Sequence, residues 1–283
     1  MPELPEVETI RRALAPRLEG RALAEVAVSD SRWCRPLTAA EMEAKLLGRR
    51  VERLGRRGKY LVWELACERF LVQHLRMTGT LLYDPPAPPA HARVRLGLDD
   101  GHELVVSDPR RFGTGELAEG REALEAFLGA RLGVEPLDER FSTDHLRALA
   151  RGCRAPVKAF VLDQRRIAGV GNIYADEALF RARIHPLRPA GRLTGAQLDA
   201  LRRSTVEALQ AGIAARGASI DDFRDPDGVQ GTFQDRFLVH RRAGQPCPTC
   251  GTPIVKLVAA GRGTYVCESC QPRPRRRRSS VRL

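Results

Sequence analysis

Cys247-Pro248-Thr249-Cys250 and Cys267-Glu268-Ser269-Cys270 are two Cys-x-x-Cys knuckles separated by sixteen residues. Each knuckle puts two sulfurs on one tight turn, and the pair supplies the four thiolates that tetrahedral Zn2+ takes. The residues between them suit a β-hairpin, with strands near 254–258 and 264–266. All four positions are filled by protein, which leaves no place for a catalytic water, so one structural zinc ion is expected. A redox dithiol pair would need a βαβ setting that this stretch lacks. Seven cysteines are an odd number and argue against a disulfide framework. Cys34, Cys67 and Cys153 read as ordinary small residues.

Upstream of the knuckles the chain changes character twice. Residues 5–20 read as a helix, with Pro5 in the first turn, Glu6 and Glu8 near its positive end and Gly20 closing it. Val7, Ile10, Leu14 and Leu18 share one face. Strands follow near 24–28, 51–54, 60–65, 70–74 and 80–83. Two more, at 93–98 and 103–107, flank the turn Asp99-Asp100-Gly101. Pro85-Pro86-Ala87-Pro88-Pro89 reads as a stiff surface loop. From about 135 the pattern is helical, with helices at 143–150, 157–164 and 173–181. Thr194-x-x-Gln197 is a capping box that opens a long helix, with Leu198, Leu201, Thr205, Leu209 and Ile213 on its buried face. Residues 218–236 read as a long loop. The fold class is α+β. The expected divisions are a β-rich domain at 1–134, a helical domain at 135–223, a loop and linker at 224–236, the finger at 237–271 and an arginine-rich tail at 272–283.

With 283 residues and 43% hydrophobic content the chain can bury real cores, which excludes wholesale disorder. Lys+Arg 47 against Asp+Glu 35 gives +12. Six of the arginines lie in the last 13 residues, so the body remains basic without them. A basic body favours a polyanionic partner, nucleic acid before an anionic membrane. No window reaches the ~18 apolar residues of a membrane span. The opening carries acids and prolines where a secretory signal has a basic start and an apolar run, so a cytoplasmic protein is expected. Only four lysines (Lys45, Lys59, Lys158, Lys256) and one asparagine (Asn172) survive in an Ala-, Arg-, Gly- and Leu-rich chain. That composition suggests a GC-rich bacterial genome.

Once Met1 is removed, Pro2 presents a secondary amine. An α-amine has an ordinary pKa of ~7.7–8.0, far below the ~10.4 of lysine, so more of it is free base near neutrality. Attack of a secondary amine on an aldehyde carbon gives a cationic iminium, an electron sink that acidifies the neighbouring C–H. Glu3 is adjacent and could move protons. The plainer reading of Met1-Pro2 is that the prolines only set up the helix.

Met1-Pro2-Glu3-Leu4-Pro5-Glu6-Val7-Glu8-Thr9 resembles the start of the formamidopyrimidine-DNA glycosylase family. So do Gly58-Lys59-Tyr60-Leu61, His74-Leu75-Arg76-Met77-Thr78-Gly79, Asp108-Pro109-Arg110-Arg111-Phe112-Gly113 and Gly169-Val170-Gly171-Asn172-Ile173-Tyr174-Ala175. The four-cysteine finger with Arg262-Gly263-Thr264 completes a set that runs in order from residue 2 to about 271. The resemblance implies an N-terminal helix with a β-sandwich, a helical domain with a helix–two-turn–helix element, and the zinc finger. It implies a monomeric enzyme that flips oxidised purines, 8-oxoguanine and formamidopyrimidines, out of duplex DNA, excises them and cuts the strand by β,δ-elimination.

The resemblance also assigns roles. Pro2 is the nucleophile and Glu3 the general acid/base, while Lys59 and Arg262 donate protons for β- and δ-elimination. Met77, Arg110 and Phe112 are plugs for the hole left by the flipped nucleotide. Arg111, His74, Lys59 and Asn172 are expected near phosphates, His91 at a DNA contact after the proline loop, and Lys158 near the lesion. At a neighbouring basic contact the chain has Cys153-Arg154 instead. Glu6 fits a pocket carboxylate. Read alone, Met77 would be core, Arg110-Arg111 a solvated pair, His74 a buried structural histidine and Glu6 a helix-end charge. The loop 218–236 holds the lesion-covering position. Two rivals remain. An endonuclease VIII-like relative for oxidised pyrimidines typically has Gly where this chain has Leu4. A non-enzymatic zinc-finger DNA-binding protein would tolerate loss of Pro2 and Glu3.

Overall fold

The computed structural model describes residues 2–220 and 223–274, so Asp221, Asp222 and the tail from 275 onward lie outside the described residues. The chain divides into two compact units, Met1–Glu135 with Leu209–Arg236, and Pro136–Ala208 with Phe237–Leu283.

The first unit runs α1 (Leu4–Leu18), β1 (Leu23–Val28), α2 (Ala39–Leu46), β2 (Val51–Arg57), β3 (Tyr60–Leu65), β4 (Arg69–His74), β5 (Thr80–Tyr83), β6 (Ala92–Leu98), β7 (Glu103–Ser107), β8 (Thr114–Glu119) and α3 (Arg121–Gly129). Two antiparallel four-stranded sheets, ordered β1-β6-β7-β5 and β2-β3-β4-β8, make a β-sandwich. One apolar core joins both sheets to α1. Val94, Leu96 and Leu104 meet Leu61, Trp63 and Leu71, and Val7, Ile10, Leu14 and Leu18 close it from the helix. Burial of such side chains contributes roughly 1.5–3 kcal/mol each, which makes this unit a stiff platform.

Three elements here exceed the sequence reading. Thr38 and Glu41 form a capping box that starts α2. β8 contains Gly115, an unpromising strand residue, because Trp33 lies against it; a Cβ there would come within 2.2 Å of the indole ring. α3 follows directly from β8. Against the expected 5–20, α1 stops at Leu18, since Glu19 is already extended and Gly20 turns the chain at φ 88°. Register then places the site. Tyr60 pairs with His74 and His74 with Thr114. The turn before β3, the loop after β4 and the loop before β8 therefore all leave the same end of one sheet.

The second unit holds α4 (Thr143–Ala150), α5 (Val157–Leu162), α6 (Asn172–Arg181) and most of α7 (Gly195–Ala214), then β9 (Val255–Ala259) and β10 (Arg262–Val266). α5 and α6 with the turns between them form the helix–two-turn–helix element. α5 ends two residues before the expected 164 because Gln164 turns inward. Its amide donates to Leu162 O (3.0 Å) and Val170 O (2.8 Å), and its Oε1 accepts from Gly169 N (2.9 Å). The Thr194–Gln197 box opens α7. Leu198, Leu201, Thr205 and Leu209 are buried, while Ile213 is only half-buried.

Candidate active site and nucleic-acid interface

The chain's leading end is held. Pro2 is buried and Glu3 is only 3% exposed, although chain ends commonly fray. The Glu3 N–H donates to Glu6 Oε2 at 2.8 Å, and Glu6 Oε1 accepts from Ala218 N at 2.8 Å. A Cβ on Gly217, whose φ is 83°, would come within 2.8 Å of the Glu6 side chain. Glu6 therefore does more than complement a helix dipole: it ties the N-terminal segment to the root of the 218–236 loop. Farther along, that loop is docked by Tyr83 N–H to Pro226 O (2.9 Å), by Arg17 on Asp227 (2.6 Å) and by the Arg216–Asp225 ion pair.

Lys59 sits in the two-residue turn between β2 and β3, 5% exposed. Glu135 organises that turn, accepting from Arg56 Nη1 (2.6 Å), Arg57 Nη1 (2.7 Å) and Gly58 N (2.9 Å). Arg56 also reaches Glu8 at 3.1 Å. Burial would raise the Glu8 carboxyl, but hydrogen bonds from Arg11 and Arg12 and the charge of Arg56 outweigh it and lower the pKa to about 2.

The two loops at the same sheet end carry Met77 and Phe112, 37% and 50% exposed. The Arg110 guanidinium lies over the Phe112 ring at 4.7 Å. His74 is buried beneath, edge-on to Tyr60 at 4.7 Å. Its Nδ1 accepts the Arg76 N–H at 2.9 Å, which leaves Nε2 as the protonated nitrogen. Burial, and then the charges of Arg76 and Lys59, lower its pKa to about 3. His91 is exposed, and its carbonyl accepts Asp108 N–H at 3.0 Å. Arg111, expected near a phosphate, is paired within the protein. Its guanidinium grips Asp30 at 2.5 and 2.8 Å, and that bidentate pair holds the Asp30 carboxyl far below its ordinary range.

In the second unit Asn172 begins α6, and its amide donates to Gly263 O in the finger hairpin at 3.0 Å. Lys158, expected near the lesion, is fully buried and ion-paired to Asp176. Asp176 also takes His240 Nδ1 at 2.7 Å. Its neighbour Glu177 accepts the backbone N–H groups of Leu238, Val239 and His240, all near 3.0 Å. These two carboxylates clamp the segment that leads into the finger.

The four knuckle sulfurs lie within 4.8 Å of one another. Gly251, at φ 73°, donates to Cys247 O and closes the first knuckle. The second is closed by Gln271, which accepts Cys267 N (3.1 Å) and donates to Ile184 O (2.9 Å). Bonds from Thr252 bring the Cys250 thiol down to about 6, whereas burial and the neighbouring sulfurs push Cys270 up to about 12. Four thiolates this close cannot all ionise without a cation, and a tetrahedral zinc ion supplies that charge. Cys247, Cys250, Cys267 and Cys270 fit one structural zinc. Arg262 is exposed at the start of β10, just past the hairpin turn.

Sequence reasoning missed Asp30, Glu135, Asp176, Glu177 and Gln271. Each acts on backbone or charge distant in sequence, so no local pattern marks it. Only Asp176 and Glu177 stood inside a quoted stretch's helix.

Three family models match the chain: the formamidopyrimidine-DNA glycosylase N-terminal domain over residues 1–115, its H2TH domain over 132–224, and a zinc finger found in FPG and IleRS over 244–273. Formamidopyrimidine-DNA glycosylase of Chloroflexus aurantiacus is 46% identical over 275 residues, covering 96% of this chain and 98% of the relative. The crystal structure of the MutM (Fpg) protein of Thermus thermophilus aligns with a TM-score of 0.86 at 43% identity, over 95% of this chain and 98% of that one. Lactococcus lactis Fpg in complex with Fapy-dG-containing DNA aligns with a TM-score of 0.88 at 34% identity, over 96% and 100%. No helix among the described residues is long and apolar enough to cross a membrane. Fold, finger and sequence agree, and the chain belongs to the formamidopyrimidine-DNA glycosylase family.

Proposed function

We propose that the protein is a bacterial base-excision repair enzyme that removes oxidised purines from duplex DNA and then cuts the abasic strand. The damaged nucleotide is flipped out because its C1′ is unreachable inside the stack. With Met1 removed, the Pro2 nitrogen attacks C1′, and the bond from C1′ to the base breaks. Glu3 moves protons at the opening sugar, and the sugar remains on Pro2 as an iminium. That cation acidifies the adjacent C–H. Loss of the proton there expels the 3′ phosphate by β-elimination, with Lys59 as proton donor. A second elimination expels the 5′ phosphate, with Arg262 as donor.

Met77, Arg110 and Phe112 fill the vacated stack. His74, held neutral, offers its Nε2–H to a backbone phosphate, and Asn172 at the N-terminus of α6 offers another anchor. His91 adds a contact from the proline loop. Arg111 shapes its own loop through Asp30, and Lys158 acts through Asp176. Zinc takes no part in the chemistry; it holds the hairpin that carries Arg262. This reading places the protein in the cytoplasm, acting as a monomer on DNA.

The single observation that carries the proposal is the burial of Pro2 and Glu3, with the Glu3 N–H bonded to Glu6. Borohydride reduction with an 8-oxoguanine duplex tests it. The expected result is a covalent protein–DNA adduct whose mass shift maps to residue 2 and which Pro2→Gly largely loses. An adduct elsewhere, or none, overturns the assignment.

A further inference from the structure

Asp108 directly follows β7 and is itself fixed to the sheet. Its N–H donates to His91 O (3.0 Å), and its carbonyl accepts Arg93 Nε (2.9 Å). Its carboxylate, in a residue only 2% exposed, faces two loops at once. Oδ1 accepts the Thr78 hydroxyl at 2.5 Å and the Arg110 N–H at 3.2 Å. Oδ2 accepts the N–H groups of Phe112 (2.9 Å) and Gly113 (2.8 Å). Thr78 is the neighbour of Met77, so one carboxylate is bonded beside all three plug residues.

The loops need such a holder. Each contains an arginine in the left-handed region, Arg76 at φ 54° and Arg111 at φ 58°, a conformation that non-glycine residues adopt only at a cost. Gly79 closes the first loop against Leu75, where a Cβ would come within 2.5 Å of the Leu75 carbonyl. Charge-assisted bonds in a buried site are the stronger kind, and four of them converge on one side chain. Without them, two short loops bearing exposed apolar side chains would lose their common geometry.

We propose that Asp108 is the positioning residue that locks the Met77 loop and the Arg110–Phe112 loop into one preassembled plug, which enters the duplex as a unit. The proposal rests on the reading of these residues as plugs given above. Preassembly removes the ordering cost that two independent loops would meet on binding. Asp108, nearly fully buried, acts through the loops it holds. Among the described residues Thr78 is its hydrogen-bond partner from the first loop, and the Thr78 hydroxyl also accepts the Arg110 N–H at 3.4 Å, so that hydroxyl is where the two loops are joined.

The test uses the full chain with two substrates, an 8-oxoguanine duplex and a duplex carrying a preformed abasic site. Single-turnover rates are measured alongside the fluorescence of a 2-aminopurine placed next to the lesion, which reports plug insertion. Asp108→Asn and Thr78→Val are expected to lower lesion excision roughly tenfold, the scale of a lost bond to a charged group. Abasic-site cleavage should fall clearly less, because no base has to be lifted. The fluorescence change should slow in step with excision, and Thr78→Ser should restore both. The Thr78 pair decides the matter even where Asp108→Asn fails to fold. Equal losses on the two substrates for Thr78→Val, no loss, or no rescue by serine overturns the proposal. A wild-type chain inactive on both substrates instead removes the repair reading, which is a separate outcome.

Discussion

Two hairpin turns carry the cations to which proton donation is assigned, and they are stiffened in opposite ways. The β2–β3 turn has Gly58 at φ 57° followed by Lys59, the sign pattern of a type II′ turn with glycine first. Its strands belong to a sandwich with a large shared core, and Glu135 bonds both flanking arginines and the Gly58 N–H. The β9–β10 turn has Ala260 at φ 53° and Gly261 at φ 68°, the pattern of type I′. Its sheet has only two strands, and its apolar cluster is small: Phe180, Val239, Cys247, Ile254 and Cys267. A two-stranded hairpin is marginal alone in water. Metal ligation therefore does for Arg262 what burial and ion pairing do for Lys59. The metal-held turn fails as a whole; the buried, ion-paired turn fails by degrees.

Breaking the metal centre should give the largest effect. Structural zinc contributes on the order of 10 kcal/mol to a small module, so Cys250→Ser, or chelation, should unfold the finger. Duplex affinity is expected to fall by at least about 100-fold, since the segment from His240 and the Gly263 contact to Asn172 go with it. Fluorescence anisotropy with zinc content measured in parallel checks this. Undiminished affinity in a zinc-free protein would show that the hairpin stands without its metal.

Glu3→Gln should come next, and it separates chemistry from holding. General acid–base groups contribute about 10²–10⁴ in rate. Single-turnover excision should drop within that range while duplex affinity stays close to wild type. Glu3 lies on the well-cored unit, so the fold should survive the change. Excision at the wild-type rate would remove Glu3 from its role.

Glu135→Gln sharpens the comparison from the Lys59 side. Removing one partner of a partly buried ion network costs up to about 3 kcal/mol. The variant should unfold at a lower temperature, and its β-elimination should slow more than its base release. Zinc content should be unchanged, because Glu135 bonds Arg56, Arg57 and Gly58 within the first unit. A fall in zinc occupancy would mean that the two turns are not held independently.

The parts of this arrangement that were legible in sequence are the local ones. Zinc spacing, the α1 face, the Thr194–Gln197 box and the 143–150 helix all depend on residues within a few positions of one another. The α2 box, Thr38-x-x-Glu41, was equally local and was overlooked. What sequence could not show are the carboxylates that hold the site from afar. Asp30 is 81 residues from Arg111 and Glu135 is 79 from Arg56. Lys158 is a further case: its ion-pair partner Asp176 lies 18 residues away, and only the packed structure shows that the pair is buried.

His74 tests the electrostatic half of the comparison more gently. Its folded pKa, about 3, lies below the ordinary value of 6.5, so the unfolded chain takes up the proton first as pH falls. Its contribution to stability is complete above the ordinary value and declines toward the folded one. Between pH 8 and 5 its ring resonances should not titrate, and nitrogen shifts should report the Nε2–H form. A titration near 6.5 would place the ring in solvent and remove the neutral-donor reading.

The smallest effect belongs to the finger turn itself. An L-residue in the left-handed region costs roughly 1–2 kcal/mol, and Ala260 has no side-chain group to offset it. Asparagine tolerates that conformation and favours the first position of a type I′ turn. Ala260→Asn should therefore stabilise the hairpin, by at most about 1 kcal/mol. Measured as slower zinc release to a chelator, the gain tests whether backbone strain still matters where metal dominates. A release rate indifferent to Ala260→Asn, beside a clear loss of stability for Gly58→Ala in the β2–β3 turn, would mean that the metal alone sets the finger's geometry and that only the Lys59 turn depends on its local chemistry.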